Sequence, residues 1–260
     1  MKGHFTPLLE GITERIMHSS EILHRSAHKP SQQSFRNLRG SWFETIVGLV
    51  SWNTCARINE ENASKVAIVK LPSANVMHWW ELLNADALNV LGGLFGSLNT
   101  MGITMTLPNP DFVCVTELDK ASQPFFENKI TKIGLGDLDT VNQAYQRVRG
   151  LCHYRSIKFG LSVKHEIKPD RRYLIVYEGS HVKAMVSHLQ GRYWDSSYAI
   201  KYYGLVHQPM SKPDREVFLN PSIDSITDVH AIPRKAVDEM VQVDTVEQTE
   251  EKVKSWVADR

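Results

Sequence analysis

Apolar residues recur at helical spacing near the start of the chain. Leu8, Leu9, Ile12, Ile16, Ile22 and Leu23 share one face and predict a helix over residues 8–25. Lys29 to Ser34 is polar around Pro30 and reads as a loop. A second helix is expected from about Ser41, with Trp42, Phe43, Ile46, Val47 and Val50 on its buried side. Val66–Leu71 and Phe112–Val115 are short β-rich runs and predict strands. Helices are expected over Trp79–Phe95 and through Leu138, Val141, Ala144, Val148 and Leu151. Ile157–Ile167 predicts a strand. Pro169 can then open a helix, because a first-turn residue has no N–H to lose. Val182, Met185, Val186 and Leu189 form that helix's core stripe. Ala199–Val206 and Ser225–Val229 predict further strands. Two helices close the chain, the last with Asp244 and Glu247 at capping-box spacing. There is no repeat and no separating linker, so the expectation is one α/β domain over residues 1–260.

Composition narrows the class. At 260 residues with 42% hydrophobic and 23% charged, the chain suits a globular domain with one sizeable core. The apolar stretch Ala87–Phe95 is interrupted by Asn89, Gly92 and Gly93 and is too short to span a bilayer. No signal-peptide core follows Met1–Phe5, so no membrane association is expected. Cys55, Cys114 and Cys152 are an odd count without metal-ligand spacing, which suits reduced buried thiols in a cytoplasm. The net charge is +1, but residues 236–260 carry −4, leaving +5 on the remainder. That balance permits DNA binding without requiring it.

Four segments carry chemistry together: Trp42-Phe43-Glu44, Asn109-Pro110-Asp111, Leu161-Ser162-Val163-Lys164 and Tyr177-Glu178-Gly179. An Asp at a strand start, followed by a strand bearing x-x-Lys, is the skeleton of a metal-dependent nuclease. Carboxylates hold Mg²⁺ beside a phosphate, and a nearby lysine orients or deprotonates the attacking water. Residues 162 and 164 of a strand point to one face, so the usual second acid would stand at Ser162. Glu178, fourteen positions after Lys164 on the following helix, can return a carboxylate to the same metal. Singly, each piece has a plain structural explanation. A Pro-Asp pair is commonly a turn, a strand lysine a solvated edge residue, and Glu178 or Glu44 an exposed helix acid.

Lys168-Pro169-Asp170-Arg171-Arg172 follows the candidate catalytic strand directly. Arginine or lysine donates to guanine O6 and N7, and aspartate accepts from the cytosine amino group. Arg171 and Glu178 lie seven residues apart on one helix face, about 10 Å along the axis. On composition alone, a solvated helix start explains the segment equally well.

Together these segments resemble the CCGG-cutting branch of the PD-(D/E)XK restriction endonucleases, most closely the enzymes cutting purine-CCGG-pyrimidine. Residues 37–44, 69–72 and 109–111 carry the resemblance, and 161–194 is its longest stretch. Residues 201–204, 225–229 and 236–239 continue it. The resemblance implies a central mixed sheet flanked by helices and a homodimer acting on palindromic double-stranded DNA. It places Asp111, Lys164 and Glu178 at the metal and catalytic positions and Glu44 at an additional acidic position. Ser162 stands where other nucleases carry their second acid, as in this branch. Asp170 and Arg171 take CCGG-reading positions, and Arg172, Asn37 and Arg39 fall in the DNA-contacting stretches. Lys168 stands where the family has its first reading arginine. Arg192 and Trp194 fall where family members join two dimers into a homotetramer; an ordinary core or helix-end aromatic is the alternative. A bacterial restriction-modification setting follows. The rivals are a repair nuclease of the same fold without site specificity, and a DNA-binding protein that has lost catalysis.

Overall fold

In the computed structural model, which describes residues 3–23, 32–105, 109–131, 134–195, 197–227 and 232–259, a mixed five-stranded sheet forms the centre. Helices α1 (Phe5–Leu23) and α2 (Gln32–Glu61) precede β1 (Val66–Lys70). Then come α3 (Ala85–Thr100), β2 (Phe112–Thr116), α4 (Gln123–Glu127) and α5 (Leu135–Gln143). The site-bearing half follows with β3 (Ile157–Lys164), α6 (Pro169–Tyr193), β4 (Lys201–Val206), α7 (Lys212–Val217) and α8 (Ile223–Thr227). The chain closes with β5 (Glu239–Gln242) and α9 (Val246–Ala258). The strands lie in sequence order. β1, β2 and β3 pair antiparallel, whereas β3, β4 and β5 pair parallel. The long helix α6 is the crossover that the parallel β3–β4 pair requires.

Strand alternation divides the core in two. Phe112, Cys114, Phe159, Leu161, Tyr203 and Leu205 pack with Phe43 and Val47 of α2 and Trp256 of α9. Val113, Val115, Ile157 and Tyr202 face the other way, toward Ile175, Val182, Met185 and Leu189 of α6. Ile157 and Phe159 share parity yet fall in different layers, because the pairing shifts register between Cys114 and Val115. Beyond the bulge, the even residues Gly160 and Ser162 of β3 face α6. A helix side chain can therefore meet the strand position that lacks an acid. The two ends of the chain are knitted together: Phe5 N donates to Asp244 O, and Val246 N donates to Gly3 O.

Several predicted boundaries change. α2 starts at Gln32 rather than Ser41. Phe35, Leu38 and Trp42 carry its helical spacing upstream, so Gln32 to Ser34 belong to a helix and not a loop. Residues 29–31, and 24–25 of the first predicted helix, lie outside the described residues. The helix expected over Trp79–Phe95 is two elements, a 3₁₀ turn at Trp79–Leu82 and then α3, because the Asn84 side chain accepts from Ala87 N and starts a new helix. α5 ends at Gln143 and passes into a 3₁₀ turn over Ala144–Arg147. β3 stops at Lys164, and Lys168 stays extended ahead of Pro169. No strand forms at Ser225–Thr227. Ser225 Oγ bonds back to Ser222 O, and the segment coils into α8; Asp228 and Val229 lie outside the described residues. In place of two closing helices there is β5 and then α9, whose capping box is Thr245 with Gln248, not Asp244 with Glu247.

Candidate active site

Asp111 closes the β2 end of the sheet. Its backbone carbonyl accepts from Leu71 N at 3.0 Å, which fixes it beside β1. The Asn109 side chain pins the neighbouring loop, accepting from Trp79 N and donating to Met77 O. The Asp111 carboxylate then continues the β2–β3 ladder in place of a backbone acceptor. Its Oδ2 takes the Val163 N–H at 2.6 Å, the Lys164 ammonium at 2.6 Å and the Ser162 hydroxyl at 3.3 Å. Asp111 and Lys164, distant in sequence, are thus one ion pair at a sheet end.

Glu178 arrives from α6, 4% exposed, where α6 crosses the even face of β3. Its Oε2 accepts from the Tyr202 hydroxyl at 2.8 Å, and the fully buried Ser162 side chain lies close by. Ser162 therefore lies between Asp111 and Glu178, where a strand acid would stand, with its hydroxyl given to Asp111. Glu44 reaches in from α2 and pairs with Lys70 at 3.2 Å.

The electrostatics tie these groups together. Burial, reinforced by the Asp111 charge, lifts Glu178 to about 7, although Lys164 and the bond from Tyr202 pull it down, as does the nearby Ser162 hydroxyl. Burial and Asp111 likewise raise Glu44 against the pull of Lys70 and Lys164. Burial lowers Lys164, but Asp111, Glu178 and Glu44 outweigh it, and the ammonium is held above its ordinary range. Acids that repel one another around one lysine form a donor set with room for another positive charge. Among the described residues no three His, Cys, Asp or Glu side chains converge tightly enough to cage a metal. Asp111 and Glu178 are oxygen donors of the kind that could hold a hard divalent cation, with water and phosphate completing its shell.

Asp111, Lys164 and Glu44 line a cleft of about 300 Å³ whose wall also includes Arg36, Asn37, Lys168 and Arg171, and Glu178 lies buried outside that lining. The remaining sequence candidates fall elsewhere. Arg39 lies near His165, and its Nε has no hydrogen-bond partner among the described residues. Arg172 is tied down, its Nη1 3.1 Å from Asp214 Oδ1 and its Nε donating to Pro169 O. It braces the start of α6 against α7. Asp170 stands in the first turn of α6, and its side chain lies outside the described residues. Arg192 and Trp194 lie at the opposite end of α6 from the reading segment.

A family model described as Cfr10I/Bse634I restriction endonuclease matches residues 1–258. The chain belongs to that family. The type II restriction enzyme Cfr10I of Citrobacter freundii is 26% identical over 246 residues, covering 93% of this chain and 84% of the relative. The crystal structure of the type IIF restriction endonuclease Bse634I with cognate DNA superposes with a TM-score of 0.89 at 23% identity, covering 99% of this chain and 87% of that one. A second Bse634I structure gives 0.88 at 24%, covering 100% and 88%. The fold is therefore that of a restriction endonuclease, and the protein is a type II site-specific nuclease. In this Cfr10I/Bse634I chain, sequence reasoning gave no role to Lys70, Arg36 or Tyr202. Lys70 and Tyr202 sit in stretches already matched to the family, but only their partners Glu44 and Glu178 reveal what they hold. Arg36, one residue before the matched stretch, carried no signal of its own.

Proposed function

We propose that this restriction endonuclease hydrolyses one phosphodiester in each strand of double-stranded DNA at a palindrome containing CCGG, with Mg²⁺. One observation carries the reading: Asp111 and Lys164 pair on the floor of a cleft walled by Lys168 and Arg171, with the buried Glu178 carboxyl on the other side of Ser162. Asp111 and Glu178 would hold the cation, with Glu44 supporting a second ion or the first one's water. When bound, Mg²⁺ neutralises charge building on the phosphate oxygens. Lys164, anchored by Asp111, orients the attacking water. The water oxygen bonds to phosphorus, the bond to the 3′ oxygen breaks, and that oxygen takes up a proton, leaving a 5′ phosphate. The family resemblance supports CCGG, a cut before the first cytosine and four-base 5′ overhangs. Lys168, Asp170 and Arg171 read the bases. Lys168 is a point donor where the family has a forked arginine, so it reads its guanine less strictly.

The knitted chain ends support a single domain over residues 1–260. Among the described residues no helix is long and apolar enough to cross a membrane, and the proposed setting is a bacterial cytoplasm. Incubation of plasmid DNA with Mg²⁺, followed by mapping of the ends, tests the reading. Cleavage confined to CCGG palindromes is expected. Scattered ends would favour the repair nuclease, and intact plasmid with site-specific binding the inactive binder.

The palindrome supports a homodimer, and Trp194 supports its pairing into a homotetramer. Trp194 is 94% exposed in the left-handed C-cap of α6, at φ 53°. The core alternative is therefore excluded. Its neighbour Asp195 is buried and bound by Tyr154, Arg155 and Ser197, so the indole stands on a fixed base with Arg192 nearby. Trp194→Ala is expected to halve the mass seen by light scattering with an unchanged melting temperature. An unaltered mass would leave Trp194 as a helix-end aromatic.

A further inference from the structure

We propose that Tyr202 is the positioning residue that aims the Glu178 carboxylate. The inference rests on the reading of Glu178 as a cation-binding acid. An acid on strand position 162 would have its direction set by the pleat. A glutamate on a helix has three rotatable bonds and needs an outside hold. The Tyr202 phenol supplies it, donating to Glu178 Oε2 at 2.8 Å from a fully buried ring. The Ser162 hydroxyl is given to Asp111, and the phenol is the donor to Glu178.

The ring sits in a built slot. A Cβ on Gly160, its β3 register partner, would lie 2.9 Å from the ring's Cδ2 and Cε2. A Cβ on Gly179, next to Glu178, would lie 3.0 Å from Cδ1 on the other edge and would collide with the Ala236 carbonyl oxygen. Both glycines keep the slot open where a phenol must pass between β3 and α6. The backbone is fixed as well. Tyr202 N donates to Asp238 Oδ2 at 2.7 Å, and Asp238 N returns a bond to Tyr202 O at 2.8 Å. Asp238 is in turn held at 2.7 Å by Lys183, a lysine of α6 only 2% exposed. The path leaves α6 at Lys183, runs through Asp238 and Tyr202, and returns to α6 at Glu178. The acid's direction is thereby referred to the sheet and not to the helix alone.

Tyr202→Phe removes only the donor and leaves the ring in its slot. Calorimetric titration of Ca²⁺ into the enzyme bound to a CCGG duplex reads the effect without turnover. Metal affinity is expected to fall about 10–100-fold, the usual effect of losing a hydrogen bond behind a metal ligand. Affinity for DNA without metal should stay at the wild-type level. Added to Glu178→Ala, Tyr202→Phe should weaken Ca²⁺ no further, because the phenol acts only through that carboxylate. Replacing Tyr202 with 4-aminophenylalanine, which keeps a donor at the ring's end, should restore binding. It also carries the test if Tyr202→Phe does not fold. Wild-type Ca²⁺ affinity in Tyr202→Phe beside a weakened Glu178→Ala would overturn the inference and leave the Glu178 reading standing. So would a folded 4-aminophenylalanine variant that has lost Ca²⁺. Wild-type affinity in Glu178→Ala would sink the Glu178 reading and this inference with it.

Discussion

Asp111→Ala should abolish DNA cleavage, by about 10³-fold or more, while leaving site-specific binding intact. The loss follows from removing one cation ligand and the anchor of Lys164 together. Metal stabilisation of a phosphoryl transition state is worth several kcal/mol, and each 1.36 kcal/mol is tenfold in rate. Binding responds in the opposite sense. The carboxylate repels a DNA phosphate, and its removal leaves Lys164 free to pair with that phosphate, so the complex without metal should hold or tighten. The substitution also strips an acceptor from Val163 N, which costs about 1–3 kcal/mol if that donor stays buried and unpaired. Asp111→Asn separates the two effects, since its amide oxygen still accepts while the negative charge is gone. Both variants should be inactive, and only the alanine should melt early. Lys164→Ala should be similarly inactive without a gain in DNA affinity. Gel-shift titration in EDTA and single-turnover cleavage in Mg²⁺ measure the pair of quantities. Cleavage by Asp111→Ala at the wild-type rate would remove Asp111 from the site.

The parts of this site that were legible in the sequence are those set by local rules. The pleat period puts Ser162 and Lys164 on one face, and Pro169 at a first helical turn starts α6. With those two fixed, a helix crossing the strand's even face brings Glu178 within reach. The misreadings arose where a side chain overrides periodicity. Asn84 caps a helix inside an apolar run, and Ser225 bonds back to Ser222 O where alternation suggested a strand. Partners separated by many residues were not legible at all. Nothing local to Lys70 announces Glu44, and nothing local to Tyr202 announces Glu178, because sheet order creates those pairs. The same holds for Arg172, whose pairing with Asp214 of α7 nothing in its own segment announces.

Arg171→Ala should flatten the choice of base without removing DNA affinity. Arg171 is exposed on the cleft wall and makes no ion pair among the described residues, unlike Arg172 next to it. It is one helical face away from Glu178, about 10 Å along α6, so a base read at one point and a phosphate cut at the other are held by one rigid rod. Each good bidentate contact discriminates by about 1–3 kcal/mol. A two-fold dimer repeats the contact, so one substitution removes it twice, and about 2–6 kcal/mol of preference for CCGG over single-base variants should vanish if the contacts add. Phosphate contacts carry no sequence information and should preserve the residual affinity. Lys168→Arg makes the reciprocal change: the forked guanidinium should keep the native site or narrow it toward strict CCGG. Selection from randomised duplexes, with sequencing of the cut ends, reports both variants in one experiment. A native site without CCGG at its core would refute the specificity, as would an Arg171→Ala enzyme with unaltered preference. Neither result would touch the nuclease chemistry, because Asp111, Lys164 and Glu178 are held by Val163 and Tyr202 of the sheet and by one another, and not by the side chains of Lys168 and Arg171.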